Sequence, residues 1–154
     1  MEFKELIRNN LEGEDLINAL DLVDYLVDKG INPKKEWEFG YRFIKNGKSP
    51  CMIFMIGKDH GGGWVICDLP VVTEPEWNLI NDDLKEFIIS NIKTCSVHMG
   101  NPCGCGSEPG TSKTIFDKLH NNVCTSEIQI VSPDLEELKK FKEIIEWWLT
   151  DVCI

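Results

Sequence analysis

No stretch of this chain is apolar over the roughly 20 residues that a membrane-spanning helix requires. The first eleven residues alternate charged and apolar side chains and lack the apolar run of a secretion signal. Basic residues are few, 16 Lys and Arg against 26 Asp and Glu, and none of them cluster into a stripe. The resulting net charge of −10 repels phosphate backbones and anionic lipid surfaces, so neither nucleic acid nor membrane is expected as a partner. No G-x-S-x-G, Walker A, H-E-x-x-H or EF-hand pattern occurs, which removes the commonest hydrolase, nucleotide, metalloprotease and calcium signatures. Histidine is scarce, with three in the chain. Seven cysteines is an odd number, and without a secretion signal the expectation is a cytoplasmic protein with reduced thiols.

Against that background the segment Cys95-Ser96-Val97-His98-Met99-Gly100-Asn101-Pro102-Cys103-Gly104-Cys105-Gly106 stands out. It gathers three thiols and an imidazole, and His120 and Cys124 follow. Thiolate and neutral imidazole suit borderline and soft metals, and four such donors complete a tetrahedron. Cys95-x2-His98 resembles one half of a zinc site, whereas Cys103-x-Cys105 is tighter than the usual two-residue knuckle. Glycines 100, 104 and 106 let the backbone turn tightly around an ion. Cys95, His98, Cys103 and Cys105 are therefore the expected zinc ligands, with Cys124 as a substitute. Two readings compete with a metal. The thiols are simply small buried hydrophobes, or Cys103 and Cys105 form a strained, readily reduced pair suited to exchange. A Cys–His nucleophilic pair, Cys95 with His98 or His120, is a further alternative.

Elsewhere the periodicity points to structure. Short helical spacing over 3–11 precedes a stronger helix over 14–29, closed by Gly30. Residues 36–44 alternate as a strand with Trp37, Phe39, Tyr41 and Phe43 on one face. Asn46-Gly47 signals a type I′ turn into a strand over 51–56, and a glycine-rich loop leads to a third strand over 64–69. Thr73 and Glu76 suggest a capping box for a helix running to about 92, broken near Asn81. Residues 94–125 show no sustained periodicity and read as a Cys/Gly-rich loop, a length that is uncommon unless something holds it. A strand over 126–131 follows, then a helix with Ser132 as N-cap and Pro133 in its first turn.

The aromatic face gives a second functional expectation, a small-molecule pocket walled by Trp37, Tyr41 and Trp64, against the plainer reading of a packed core. Asp59-His60 beside three glycines is expected to be an ordinary turn, and Trp147 either a dimer contact or a half-buried surface ring. The run Glu36-Trp37-Glu38-Phe39-Gly40-Tyr41-Arg42-Phe43, followed by Lys45-Asn46-Gly47-Lys48 and an apolar strand, resembles the small bacterial YdhG-like α+β domains. That resemblance implies a compact sheet covered by helices, with iron handling or small-molecule binding in some relatives. It transfers no site residue, and residues 94–125 depart from the pattern. The sequence thus specifies a single α+β domain over residues 1–154. An antiparallel three-strand meander and a later strand lie under helices, with the Cys-rich loop at 94–125. Its function is read as metal binding, zinc first, in an accessory or sensor protein. Small-molecule binding and thiol redox chemistry are the alternatives, and an enzymatic role is not favoured.

Overall fold

The computed structural model describes residues 2–95 and 110–153. Four helices and an antiparallel sheet of seven strands make an α+β fold. Helices α1 (Glu2–Asn10) and α2 (Gly13–Asp28) come first. α1 buries Phe3 and Ile7, one turn apart, and α2 buries Ala19, Leu22, Val23 and Leu26 on one stripe. Gly30, at φ 77°, closes α2 by donating its N–H to the Val27 carbonyl at 2.8 Å, a left-handed position that suits glycine.

The expected single strand over 36–44 is two strands. β1 (Asn32–Trp37) and β2 (Gly40–Lys45) form a hairpin about Glu38-Phe39. Gly40 makes the tight reversal feasible, because a Cβ there would lie 2.1 Å from the Trp37 indole nitrogen. The register is displaced between Lys35 and Trp37, so the four aromatics do not share a face. Asn46 and Gly47, at φ 52° and 76°, form the expected I′-type reversal into β3 (Lys48–Met55). β3 sits between β2 and β4 (Trp64–Cys67), which explains why it is apolar on both sides. β1 lies at the margin, where Pro33, with no N–H to donate, is tolerated.

The capping box at Thr73 does not form. A 3-10 turn occupies Pro75–Leu79, and the Glu74 carboxylate accepts the Trp77 indole N–H at 3.2 Å. The helix proper, α3 (Asp82–Ser90), starts at the anticipated break, with the Asn81 side chain accepting the Leu84 N–H at 3.0 Å. The region read as loop, 94–125, holds β6 (Thr111–Ile115) and most of β7 (Lys118–Val131), and β5 (Ile92–Thr94) ends at its first residue. β6 and β7 join through Phe116-Asp117, a two-residue reversal with both φ values positive (50° and 63°) but no glycine, so its usual sequence signal is missing.

The last helix, α4 (Leu135–Asp151), is capped by Asp134 rather than Ser132. Asp134 accepts the Glu137 N–H at 2.9 Å and Glu137 accepts the Asp134 N–H at 3.3 Å, a reciprocal capping box. Ser132 instead turns its hydroxyl to accept the Trp64 N–H at 3.3 Å, tying β4 to the end of β7. Asp134→Ala is expected to cost about 1 kcal/mol in urea denaturation, and Ser132→Ala is not expected to shorten α4.

One face of the sheet carries Tyr41, Phe43, Ile53, Trp64, Ile66 and Ile130, all buried in a single cluster with the helices. Trp147 is half-buried and packs edge-on against Trp77 at 5.1 Å, as the half-buried ring expected of it. The other face alternates with it. Gly40, Phe54, Val65 and Val131 form one cross-strand row, and Arg42, Met52, Cys67 and Gln129 form the next. Among the described residues, no helix is long and apolar enough to cross a membrane.

Candidate functional site

β7 is the element on which the candidate site is built. Its end, Gln129–Val131, pairs with β4, and its beginning, Lys118–Val123, pairs with β6. β5 takes the opposite edge, so β4 and β6 meet the same edge at different points. Between them the sheet forks. β7 also bulges there, because between the pairs Ile92↔Ile128 and Thr94↔Val123 only Lys93 of β5 faces Cys124, Thr125, Ser126 and Glu127. Bulges bend a strand and re-aim its side chains, and Glu127 stands at φ 61°, a left-handed conformation that a glutamate seldom adopts.

Chemical groups converge on this fork. Arg42 from β2 donates to both carboxylate oxygens of Glu36, at 2.5 and 3.2 Å, and to Asp68 just past β4 at 2.9 Å. The hydrogen bond from Arg42 holds the Glu36 carboxyl below the usual carboxylate range. Lys113 of β6 reaches Glu127 at 3.6 Å. Burial raises the Glu127 carboxyl above its ordinary range, Lys113 opposes that shift, and the Asp68 charge adds to it. On the bulge itself, Gln129 donates to the Ser126 hydroxyl at 2.7 Å, and that hydroxyl donates to the Cys124 sulfur at 3.6 Å. The buried atoms His120 Nε2, Asn122 Oδ1 and Glu127 Oε2 have no hydrogen-bond partner among the described residues.

Cys95 and Gly110, the described residues that flank 96–109, form a narrow neck beside this fork. Cys95 donates its N–H to the Asn122 carbonyl at 2.8 Å, and the Asn122 side-chain amide donates back to the Cys95 carbonyl at 2.7 Å. Gly110 closes the other side. A Cβ on Gly110 would fall 2.6 Å from the Cys95 Cβ and 2.8 Å from the Val123 carbonyl oxygen.

Of the expected metal ligands, Cys95 and Cys124 are therefore both buried, one at the neck and the other two positions along β7 from the residue that grips it. His98, Cys103 and Cys105 lie outside the described residues. Among the described residues, no three His, Cys, Asp or Glu side chains come together to hold a metal. The thiols Cys51 and Cys67 are driven up chiefly by burial, so they stay protonated and serve as packing groups. Cys153 is buried and its thiol donates to the Lys45 carbonyl at 3.5 Å.

The expected aromatic pocket is corrected by the hairpin at Glu38-Phe39. Trp37 is 45% exposed and its ring meets Phe54 and Phe39 at 5.8 and 6.0 Å on the sheet's open face. Tyr41 turns to the opposite face and stacks on Phe3 at 4.3 Å, while Trp64 is fully buried there. The three rings line no common surface. A groove between α2 and α4 exists elsewhere, lined in part by Asp21, Tyr25, Lys142 and Glu146. Two of its charged residues are already paired, Lys142 with Asp21 at 2.6 Å and Glu146 with Lys29 at 2.8 Å.

Sequence reasoning found the thiols but not Asp68, Lys113 and Glu127. Those residues come together only through the register of β4, β6 and β7, and no local spacing announces that register. The chain matches no protein-family model, no curated protein and no solved structure.

Proposed function

We propose that this protein binds a borderline divalent metal, zinc first, in the reducing environment of the cytoplasm. The ligands are Cys95, His98, Cys103 and Cys105, with Cys124 as the substitute donor. Its role is then that of a metal-binding accessory or sensor protein rather than a catalyst. The observation that supports this reading most is the neck. Cys95, the first donor of the series, is fixed against β7 close to Cys124, and Gly110 packs directly on its side chain. A run of donors whose two ends are already closed loses less chain entropy on chelation. The donor chemistry suits zinc, because three thiolates and one imidazole fill a closed tetrahedral, structural site.

Protein purified without chelator or affinity metal is expected to carry about one zinc per chain by elemental analysis. Cys103→Ser should lose most of it, because it removes a thiolate. Cys51→Ala should keep it, because Cys51 is a core residue. A metal-free protein, or equal zinc in both variants, would sink the proposal.

A further inference from the structure

The β6–β7 hairpin is tied to the main sheet by the bulge of β7, by the pairing of Val123 with β5 and by Ile115 and Val123 in the common core, and the groups at the bulge are unusual for a structural ion pair. Glu127 is held in the left-handed region at φ 61°. Its side chain is 13% exposed, and its Oε2 makes no hydrogen bond among the described residues. Among the described residues the only cation placed against it is Lys113, at 3.6 Å, beyond hydrogen-bond range. A carboxylate taken out of water without full compensation favours its neutral form.

The surroundings reinforce this from each side. Past β4 stands Asp68, a second negative charge, held in place by Arg42 of β2 with Glu36 behind it. From β5, exposed Lys93 lies in register across the bulge. On β6, Lys113 pairs across the hairpin with His120, whose Nε2 is itself buried without a partner among the described residues. On β7, the Cys124 thiol and the Ser126 hydroxyl are engaged with each other. Lys113 is thus the one described cation within ion-pair reach of the buried carboxylate, and it is opposed by Asp68.

We infer that Glu127 is a proton-sensitive latch which docks the β6–β7 hairpin on the main sheet when neutral and loosens it when ionised. The sign follows from linkage. The docked state buries the carboxyl and prefers the proton, whereas the undocked state leaves it in water. Docking is therefore strongest at low pH and weakens as pH rises through the carboxyl's docked value. A strained backbone position at a hinge is where such a device belongs. The latch rests on the metal-binding reading only for its consequence: Thr111 of β6 follows Gly110, so docking sets how firmly the far side of the neck is held.

The test is hydrogen exchange of the hairpin amides between Lys113 and Val123 on the protein as purified, corrected for intrinsic rates, from about pH 4 to pH 8. Protection in the unsubstituted protein is expected to fall as pH rises, by at most about tenfold per unit, the limit for one coupled proton. Glu127→Gln should abolish that dependence and leave protection at about pH 7.5 at least roughly threefold above the unsubstituted protein. Lys113→Met should lower protection near neutrality yet restore it in acid. Flat protection in the unsubstituted protein, or an unchanged pH dependence in Glu127→Gln, overturns the latch. Should Glu127→Gln fail to fold, carbon-13 titration of the Glu127 carboxyl decides the matter. A midpoint at or below the ordinary value of about 4.3 overturns it, and a higher one supports it. Zinc content is read separately, so failure of the latch and failure of the metal reading register as different results.

Discussion

Trp148→Ala is expected to remove about 3–5 kcal/mol of stability, whereas Trp148→Phe should stay within about 1 kcal/mol of the unsubstituted protein. Trp148 projects from α4 into the common core and is fully buried. Truncation to alanine leaves a large cavity that rigid neighbours on the sheet cannot fill. The phenylalanine variant separates two effects of opposite sign. It also loses packing volume, which is destabilising. Yet the Trp148 Nε1 has no acceptor among the described residues, and an unpaired buried donor costs about 1–3 kcal/mol. Removing the N–H recovers that cost and offsets the lost contacts. Urea denaturation followed by circular dichroism measures both variants without relying on the lost fluorophore. A Phe variant as damaged as the Ala variant would mean that the indole N–H is satisfied after all, for instance by an ordered water.

The second large effect concerns the thiols. A strong chelator added to metal-loaded protein should expose about three or four thiols per chain to a thiol reagent. Three would be Cys95, Cys103 and Cys105, and a fourth would mean that Cys124 also binds. Cys51, Cys67 and Cys153 should remain slow in either condition, since all three are buried and burial keeps Cys51 and Cys67 protonated. The competing redox reading makes the opposite forecast. Reactivity would then be indifferent to chelator, two thiols would vanish under mild oxidant, and thioredoxin would restore them. That pattern would displace the metal proposal. Reduced thiols alone favour neither reading, because a reducing compartment keeps both kinds reduced at rest.

Legibility in the sequence tracked how local each determinant is. α2 and its Gly30 stop were readable because apolar spacing and a left-handed cap are both encoded within a few residues. The Asn46-Gly47 reversal was readable for the same reason; near Asn81 the sequence showed a break, but it placed the start of the helix at Thr73. The aromatic strand misled because perfect alternation from Trp37 to Phe43 is also compatible with a hairpin, once Gly40 lets an indole lie over it. Phe116-Asp117 hid a second hairpin by turning without glycine, so β6 and most of β7 passed for loop. At the C-terminal helix, Ser132 and Asp134 are both plausible caps, and the choice was made by Trp64, far away in sequence. The thiol cluster was visible as composition. The fork beside it was not, because it exists only where β4 and β6 meet the same edge of a bent strand.

The place of β7 in the chain has a consequence for synthesis. All four residues of β4, Trp64 to Cys67, are buried in the finished fold. One flank of β4 is protected early, by β3, which precedes it on the ribosome. The other flank waits for Gln129 to Val131, which are translated only after α3, β5, the Cys-rich run and β6. Throughout that interval a nascent chain offers an open apolar strand edge to any neighbouring polypeptide. The slow and vulnerable step in making this molecule is therefore the arrival of β7.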